Sequence, residues 1–329
     1  MLITDLSERK PLFELGDLPF VRVRREGEVA VVSVDRPEKG NALNPMTLIS
    51  LRRTVDWILG DPNIAGIVLT GTEPGFVQGA EIDFMIQGIR ENRFDRLHRY
   101  TDLGNDCFDA IAQASKPIVA VVNGPAVGGG FELALACSAR FAVPGTSFSL
   151  PETGLGICPL WGAIPRLIRL VGKGLAKWLV YSGKPLKASE ALELGLLQEV
   201  LPSQQAWEAA VRSAKGGAVD TAKNAAVSSE WAKVADLFGS QEVRQLFHGS
   251  LPPREEKQLF TSLRRVQQNS FLALQHAERM FEFENSPSPQ RTAYYREVVE
   301  SLYRSEDTIL GLEWRKTGKI APPPFPSNR

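Results

Sequence analysis

Apolar and polar positions along the chain change period several times. Phe20–Arg24 and Val29–Val34 have strand composition on either side of the polar Arg25–Glu28, a hairpin pattern. Asn44-Pro45 then supplies a helix cap and a proline at the first helical position. Leu48, Leu51, Val55, Ile58 and Leu59 follow at helical spacing, and Gly60 ends the run. Ile64–Leu69 and Pro117–Val122 are short, continuously apolar runs, the pattern of buried strands. Phe84–Ala114 between them is helical in pattern and carries Gly88 and Gly104. Ala139–Val143 and Ser147–Leu150 predict two more strands. From Ala163 onward the pattern is helical apart from the apolar stretch Leu196–Leu201. Arg254–Glu284 predicts one long amphipathic helix between the breaks Leu251-Pro252-Pro253 and Ser286-Pro287-Ser288-Pro289, and Ala321–Pro326 an extended tail. Strands alternating with helices predict an α/β fold built from parallel units with right-handed crossovers.

The densest chemical signal is Asn123-Gly124-Pro125-Ala126-Val127-Gly128-Gly129-Gly130-Phe131-Glu132, set between a strand and a helix. Three glycines admit a ligand where a Cβ would clash. The following helix aims free N–H groups and a positive dipole end at them. Glu132 adds a carboxylate to the same segment. Alone, this segment also suits tight packing or phosphate binding; it matches neither the dinucleotide nor the P-loop pattern.

Three further blocks accompany it: Asn41-Ala42-Leu43-Asn44; Gly71-Thr72 with Phe76-Val77-Gln78-Gly79-Ala80-Glu81-Ile82; and Phe148-Ser149-Leu150-Pro151-Glu152 with Gly154-Leu155-Gly156-Ile157-Cys158-Pro159, Gly162 and Arg166-Leu167. In order and spacing the four resemble the crotonase (enoyl-CoA hydratase/isomerase) superfamily, over about Val21 to Pro202. The resemblance implies a spiral of ββα units with a C-terminal helical region. It divides the chain into an arm (1–19), a catalytic core (20–202) and a helical extension for trimerisation or a lid (203–329), of which 215–285 departs from the usual pattern.

Residue by residue, the resemblance implies an oxyanion hole from the Ala80 and Gly129 amides. The loop through Gln78, Ala80, Glu81 and Ile82 would hold the adenine end of coenzyme A through backbone groups. Glu132 and Glu152 match the two hydratase glutamates, Glu132 on the base side and Glu152 as proton donor to carbon. Isomerases commonly keep only the second, so the pair favours hydration of a 2-enoyl-CoA. Isomerisation, carbon–carbon bond hydrolysis on a CoA thioester, and a non-catalytic acyl-CoA-binding or scaffold role are the alternatives; structural pairing with Arg140 or Arg166 is the alternative role for the glutamates. Two departures stand out. Asp83 occupies a place where family hydratases often carry a phosphate-binding lysine. Leu160 and Trp161 follow Pro159 where the family usually has small residues, so both are expected to reshape the acyl pocket.

Composition narrows the rest. At 43% hydrophobic, 23% charged and zero net charge, the chain reads as an ordinary globular protein with no bias toward nucleic acid or a membrane. No apolar run is long enough to span a bilayer, and the first ten residues carry no signal core, so a cytoplasmic location is expected. Cys107, Cys137 and Cys158 read as buried apolar residues. His98, His248 and His276 are scattered, and no metal site is expected. Ser138 and Ser149 lack an obvious histidine partner. The expected partners are an acyl-CoA substrate, with no separate cofactor, and copies of the chain in a homotrimer or homohexamer.

Overall fold

The structure, a computed structural model, describes residues 18–217, 228–247, 257–284, 288–318 and 323–328. In chain order the elements are β1 (Val21–Glu26), β2 (Val29–Val34), α1 (Pro45–Leu59), β3 (Gly66–Gly71), α2 (Ile82–Arg90), α3 (Phe94–Ala112), β4 (Ile118–Val122), β5 (Ala126–Val127), α4 (Gly129–Ala136), β6 (Ala139–Ala142) and β7 (Ser147–Ser149). There follow α5 (Ala163–Ser182), β8 (Leu186–Lys187), α6 (Ala188–Glu193), β9 (Glu199–Val200), α7 (Ser203–Ala214), α8 (Ser229–Gly239), α9 (Lys257–Gln268), α10 (Phe271–Phe283), α11 (Ser288–Tyr303) and α12 (Glu306–Lys316).

The main sheet runs β1-β2-β3-β4-β6-β9, and a smaller sheet runs β5-β7-β8. The expected hairpin closes antiparallel from Val21↔Val34 to Glu26↔Val29, and β2, β3, β4, β6 and β9 are parallel. Both faces of the inner strands β2, β3, β4 and β6 are covered, so these are largely apolar, whereas the edge strand β1 exposes Arg22, Arg24 and Arg25. Ala30, Val32, Ile67, Leu69 and Ala120 face the large core shared with α1, α3 and α5. Val29, Val31, Val68, Val119 and Phe141 face the alanines of α7. That second contact is close: a Cβ on Gly66 would lie 2.0 Å from the Ala214 carbonyl oxygen. Thus α7, at the start of the expected extension, is a layer of the core, and α8–α12 make up the helical region.

Two expected helices are each divided. Phe84–Ala114 forms α2 and α3, separated at Asn92, whose φ is +53°. Gly88 and Gly104 are not the breaks. Arg254–Glu284 forms α9 and α10; Ser270 accepts from the Ala273 amide and caps α10, and residues 254–256 lie outside the described residues. Asn-Ser before an apolar run is a cap signal that the amphipathic pattern masked. The arm up to residue 17, His248, Leu251-Pro252-Pro253, Ser286-Pro287 and Ala321-Pro322 also lie outside the described residues. Among the described residues, no helix is long and apolar enough to cross a membrane.

Candidate active site

The smaller sheet sets two loops beside each other. After β5 the chain turns at Gly128, with φ +52°, and enters α4. Glu132 sits in the first turn of that helix. After β7 it passes Pro151 into a 3₁₀ turn, Glu152–Leu155. The Gly128 amide donates to the Ser149 carbonyl (2.8 Å) and ties the two loops together. A Cβ on Gly128 would stand 2.7 Å from Glu152 Oε1.

The third loop carries Ala80. Leu43 donates to the Gly79 carbonyl (2.8 Å) and accepts from the Glu81 amide (3.0 Å). A parallel bridge of this kind leaves the Ala80 N–H facing the other way, toward α4. The amide nitrogen of Ala80 lies 3.6 Å from where a Gly129 Cβ would be. Gly129 is the first residue of α4, so its amide has no partner within the helix. The Ala80 amide and the start of α4 therefore stand side by side at the cavity. The Tyr100 hydroxyl reinforces the bridge by accepting from the Glu81 amide (3.1 Å) and donating to the Leu43 carbonyl. Arg36 holds the Glu81 carboxylate with two nitrogens, at 3.1 and 3.3 Å.

Both glutamates are buried, at 2% and 7% exposure for Glu132 and Glu152. Their surroundings differ. Glu132 Oε1 accepts from the Trp161 and Ala163 amides, at 2.8 and 3.1 Å, and so caps the N-terminus of α5. Burial pushes its pKa up to about 7, against the pull of those two donors and of the nearby Arg166 charge. Burial and then the Glu132 charge push Glu152 well above the usual carboxylate range. Glu152 Oε2 is buried without a hydrogen-bond partner among the described residues. Neither glutamate pairs with an arginine among the described residues: Arg166 holds Asp109 and the Trp161 and Phe108 carbonyls, and Arg140 holds the Leu196 and Cys137 carbonyls.

These groups line one cavity of about 80 Å³. Trp161 and Leu160 form part of its wall, and Gln78 and Ile82 part of its rim. The Trp161 indole stands edge-to-face against Tyr100 and Phe108, with ring centroids 5.3 and 5.5 Å away. It fits only because two neighbours lack side chains: a Cβ at Gly104 would lie 2.1 Å from Nε1, and one at Gly129 2.4 Å from the ring. Asp83 lies just outside, bridging Lys39 (3.2 Å) and Lys316 (2.6 Å), so positive charge stands beside the position where a lysine is missing. Larger cavities, about 440 and 650 Å³, lie elsewhere or behind the Glu152 turn and do not contain the glutamate pair.

The four sequence blocks thus meet at one place. Tyr100, and Tyr303 and Arg315 from the helical region, also line the cavity, although none was among the residues expected there. Nothing local to these residues marks them. His98 binds Glu300 (2.8 Å), and His276 binds Tyr294 and Ser301. The three cysteines are buried, and burial raises each thiol. Among the described residues, no group of three or more His, Cys, Asp or Glu side chains is placed to hold a metal ion.

The enoyl-CoA hydratase/isomerase family model matches residues 24–244. The chain belongs to this family. It is 38% identical over 226 residues to a short-chain-enoyl-CoA hydratase of Clostridium acetobutylicum, covering 68% of this chain and 84% of that one. It is 38% identical over 186 residues to a crotonyl-CoA hydratase of Syntrophomonas wolfei, covering 56% and 69%. A 2,3-dehydroadipyl-CoA hydratase of Escherichia coli is 35% identical over 241 residues, covering 73% and 89%. The crystal structure of an enoyl-CoA hydratase from Rhodobacter sphaeroides superposes with a TM-score of 0.77 over 93% of this chain and 92% of that one, at 19% identity, and shows the shared crotonase-like fold.

Proposed function

We propose that the protein adds water reversibly to a short 2-enoyl-CoA, giving a 3-hydroxyacyl-CoA. The observation that carries this reading is the glutamate pair: two buried carboxyls in one cavity, Glu132 held by two amide donors from α5 and Glu152 by its own amide, with Oε2 left without a partner among the described residues. Such a pair divides the work. Glu132 keeps its charge more readily and takes a proton from water as the oxygen attacks C3. Glu152 stays protonated and delivers its proton to C2. Between these events the thioester oxygen carries enolate charge. The Ala80 and Gly129 amides meet that charge, each donor contributing about 2.7–4 kcal/mol by analogy with other oxyanion sites.

The CoA portion would lie along Gln78, Ala80, Glu81 and Ile82, with Lys39 and Lys316 near its phosphates. No cofactor beyond the CoA of the substrate enters this scheme. Leu160 and Trp161 line the cavity beside the glutamates and favour a short acyl group. The relatives named for short-chain and crotonyl substrates support the same choice. The assembly implied by family resemblance, a homotrimer or homohexamer, is open to sedimentation measurement. The chemistry is tested with crotonyl-CoA: loss of the conjugated enoyl absorbance with formation of 3-hydroxybutyryl-CoA supports hydration. No hydration, with conversion of a 3-enoyl-CoA to its 2-enoyl isomer, would instead make the protein an isomerase.

A further inference from the structure

The segment that departs most from the family pattern reaches the active site from behind. Among the described residues nothing grips the Glu152 carboxyl at Oε2, and the backbone donor to that carboxyl is Glu152's own amide, so its direction depends on the backbone turn that carries it. That turn is held from beyond residue 257. Asn269, 8% exposed, donates through Nδ2 to Thr153 Oγ1 (3.0 Å) and the Tyr181 carbonyl (2.7 Å). The Ser270 amide donates to the Thr153 carbonyl (3.0 Å). The Thr308 hydroxyl lies 2.6 Å from the carbonyls of Gly156 and Leu302. Packing is close enough that a Cβ on Gly311 would stand 2.4 Å from the Leu155 carbonyl oxygen. Asp307, 2% exposed, accepts from the Ser270 and Ser327 hydroxyls and the Ser327 amide, binding α10, α12 and the tail together.

We propose that Asn269, seconded by Ser270 and Thr308, is the positioning residue for Glu152, so that the helical region completes the active site by aiming the proton donor. The proposal rests on the reading of Glu152 as donor. Asn269 and Thr308 are uncharged. The titratable groups facing Glu152 are Glu132 on α4, Cys158 after the turn, Tyr100 on α3, Tyr303 on α11 and Arg315 on α12. Replacing Asn269 or Thr308 therefore changes no charge beside it, only its aim and its access to water.

The test uses the full chain with Asn269→Ala and Thr308→Val, and His276→Gln as a control elsewhere in the helical region. With crotonyl-CoA, kcat should fall about 10- to 100-fold in the first two, the scale of an ångström of misplacement, while KM changes little. The alkaline limb of kcat against pH should move to lower pH as water reaches the carboxyl. The control should keep both. A folded Asn269→Ala enzyme with wild-type kcat and an unmoved limb overturns the proposal. If that variant does not fold, the same two readouts on Thr308→Val decide. A wild type that does not hydrate crotonyl-CoA, or a fully active Glu152→Gln, would refute the functional reading itself, a separate failure.

Discussion

At the scale of single residues, Glu132 and Glu152 share a cavity and differ by their donors. Glu132 must be charged to act as base and Glu152 protonated to act as acid. Activity should therefore rise with pH through about 7, where Glu132 titrates, and fall again where Glu152 loses its proton. Glu132→Gln and Glu152→Gln should each lower kcat by about 10²–10⁴-fold, with CoA-ester binding little changed. If only the Glu152 variant loses turnover, two-carboxylate hydration is excluded. Linkage gives a second readout. The folded pKa of Glu132 lies above its ordinary value, so its contribution to stability is present at low pH and is lost as pH rises toward about 7. Wild type should thus lose Tm relative to Glu132→Gln between pH 5 and pH 8. The glutamates, Ala80 and Gly129 were legible because each sits in a short block with its own local signature. The two amides that hold Glu132 were not, because Trp161 and Ala163 come from some thirty residues further on.

At the scale of elements, Gly104 and Trp161 form one device read as two oddities. Within its own sequence a glycine inside α3 looks like a weakness. In the fold it is the seat for the indole that replaces small residues after Pro159. Trp161 spans from α3 to the glycines of α4, so it forms a wall of the cavity and braces Gly129 together. Trp161→Gly should raise the ratio of kcat/KM for a bulky enoyl-CoA to that for crotonyl-CoA. With the ring 6% exposed, the stability loss should be about 3–5 kcal/mol. An unchanged ratio would make the indole plain core. The helix breaks were legible only in part. The loop at Asn92 has a turn residue, but the amphipathic period runs on through it. The Asn269-Ser270 break has its cap, and its purpose lies in contacts to Thr153 and Tyr181, about 90 to 115 residues earlier.

At the scale of the whole molecule, parallel strands, crossovers and the helical end were legible from periodicity and the family blocks. How the helical end sits was not, because no local pattern encodes pairings across a hundred residues. Expected as an element for trimerisation or a lid, it packs against the Glu152 turn and is fastened to the core through α5. Lys177 of α5, 4% exposed, donates to Glu278 of α10 at 2.9 Å, and Tyr181 and Arg244 bind the same carboxylate. Burial pushes the Glu278 pKa up, but the hydrogen bonds from Lys177 and Tyr181 outweigh it and hold it below the ordinary value. A depressed carboxylate pKa contributes stability above the ordinary value and loses it as pH falls through the folded one. Glu278→Gln keeps the shape and removes the charge, leaving Lys177 buried without its counter-ion. At neutral pH it should lose stability toward the lower end of the ~3–5 kcal/mol typical of breaking a buried pair. In acid the wild-type carboxyl is itself neutral, so the two denaturation midpoints should converge below the ordinary glutamate range. A gap that stays constant from pH 7 to pH 3 would mean that shape, not charge, joins α10 to α5.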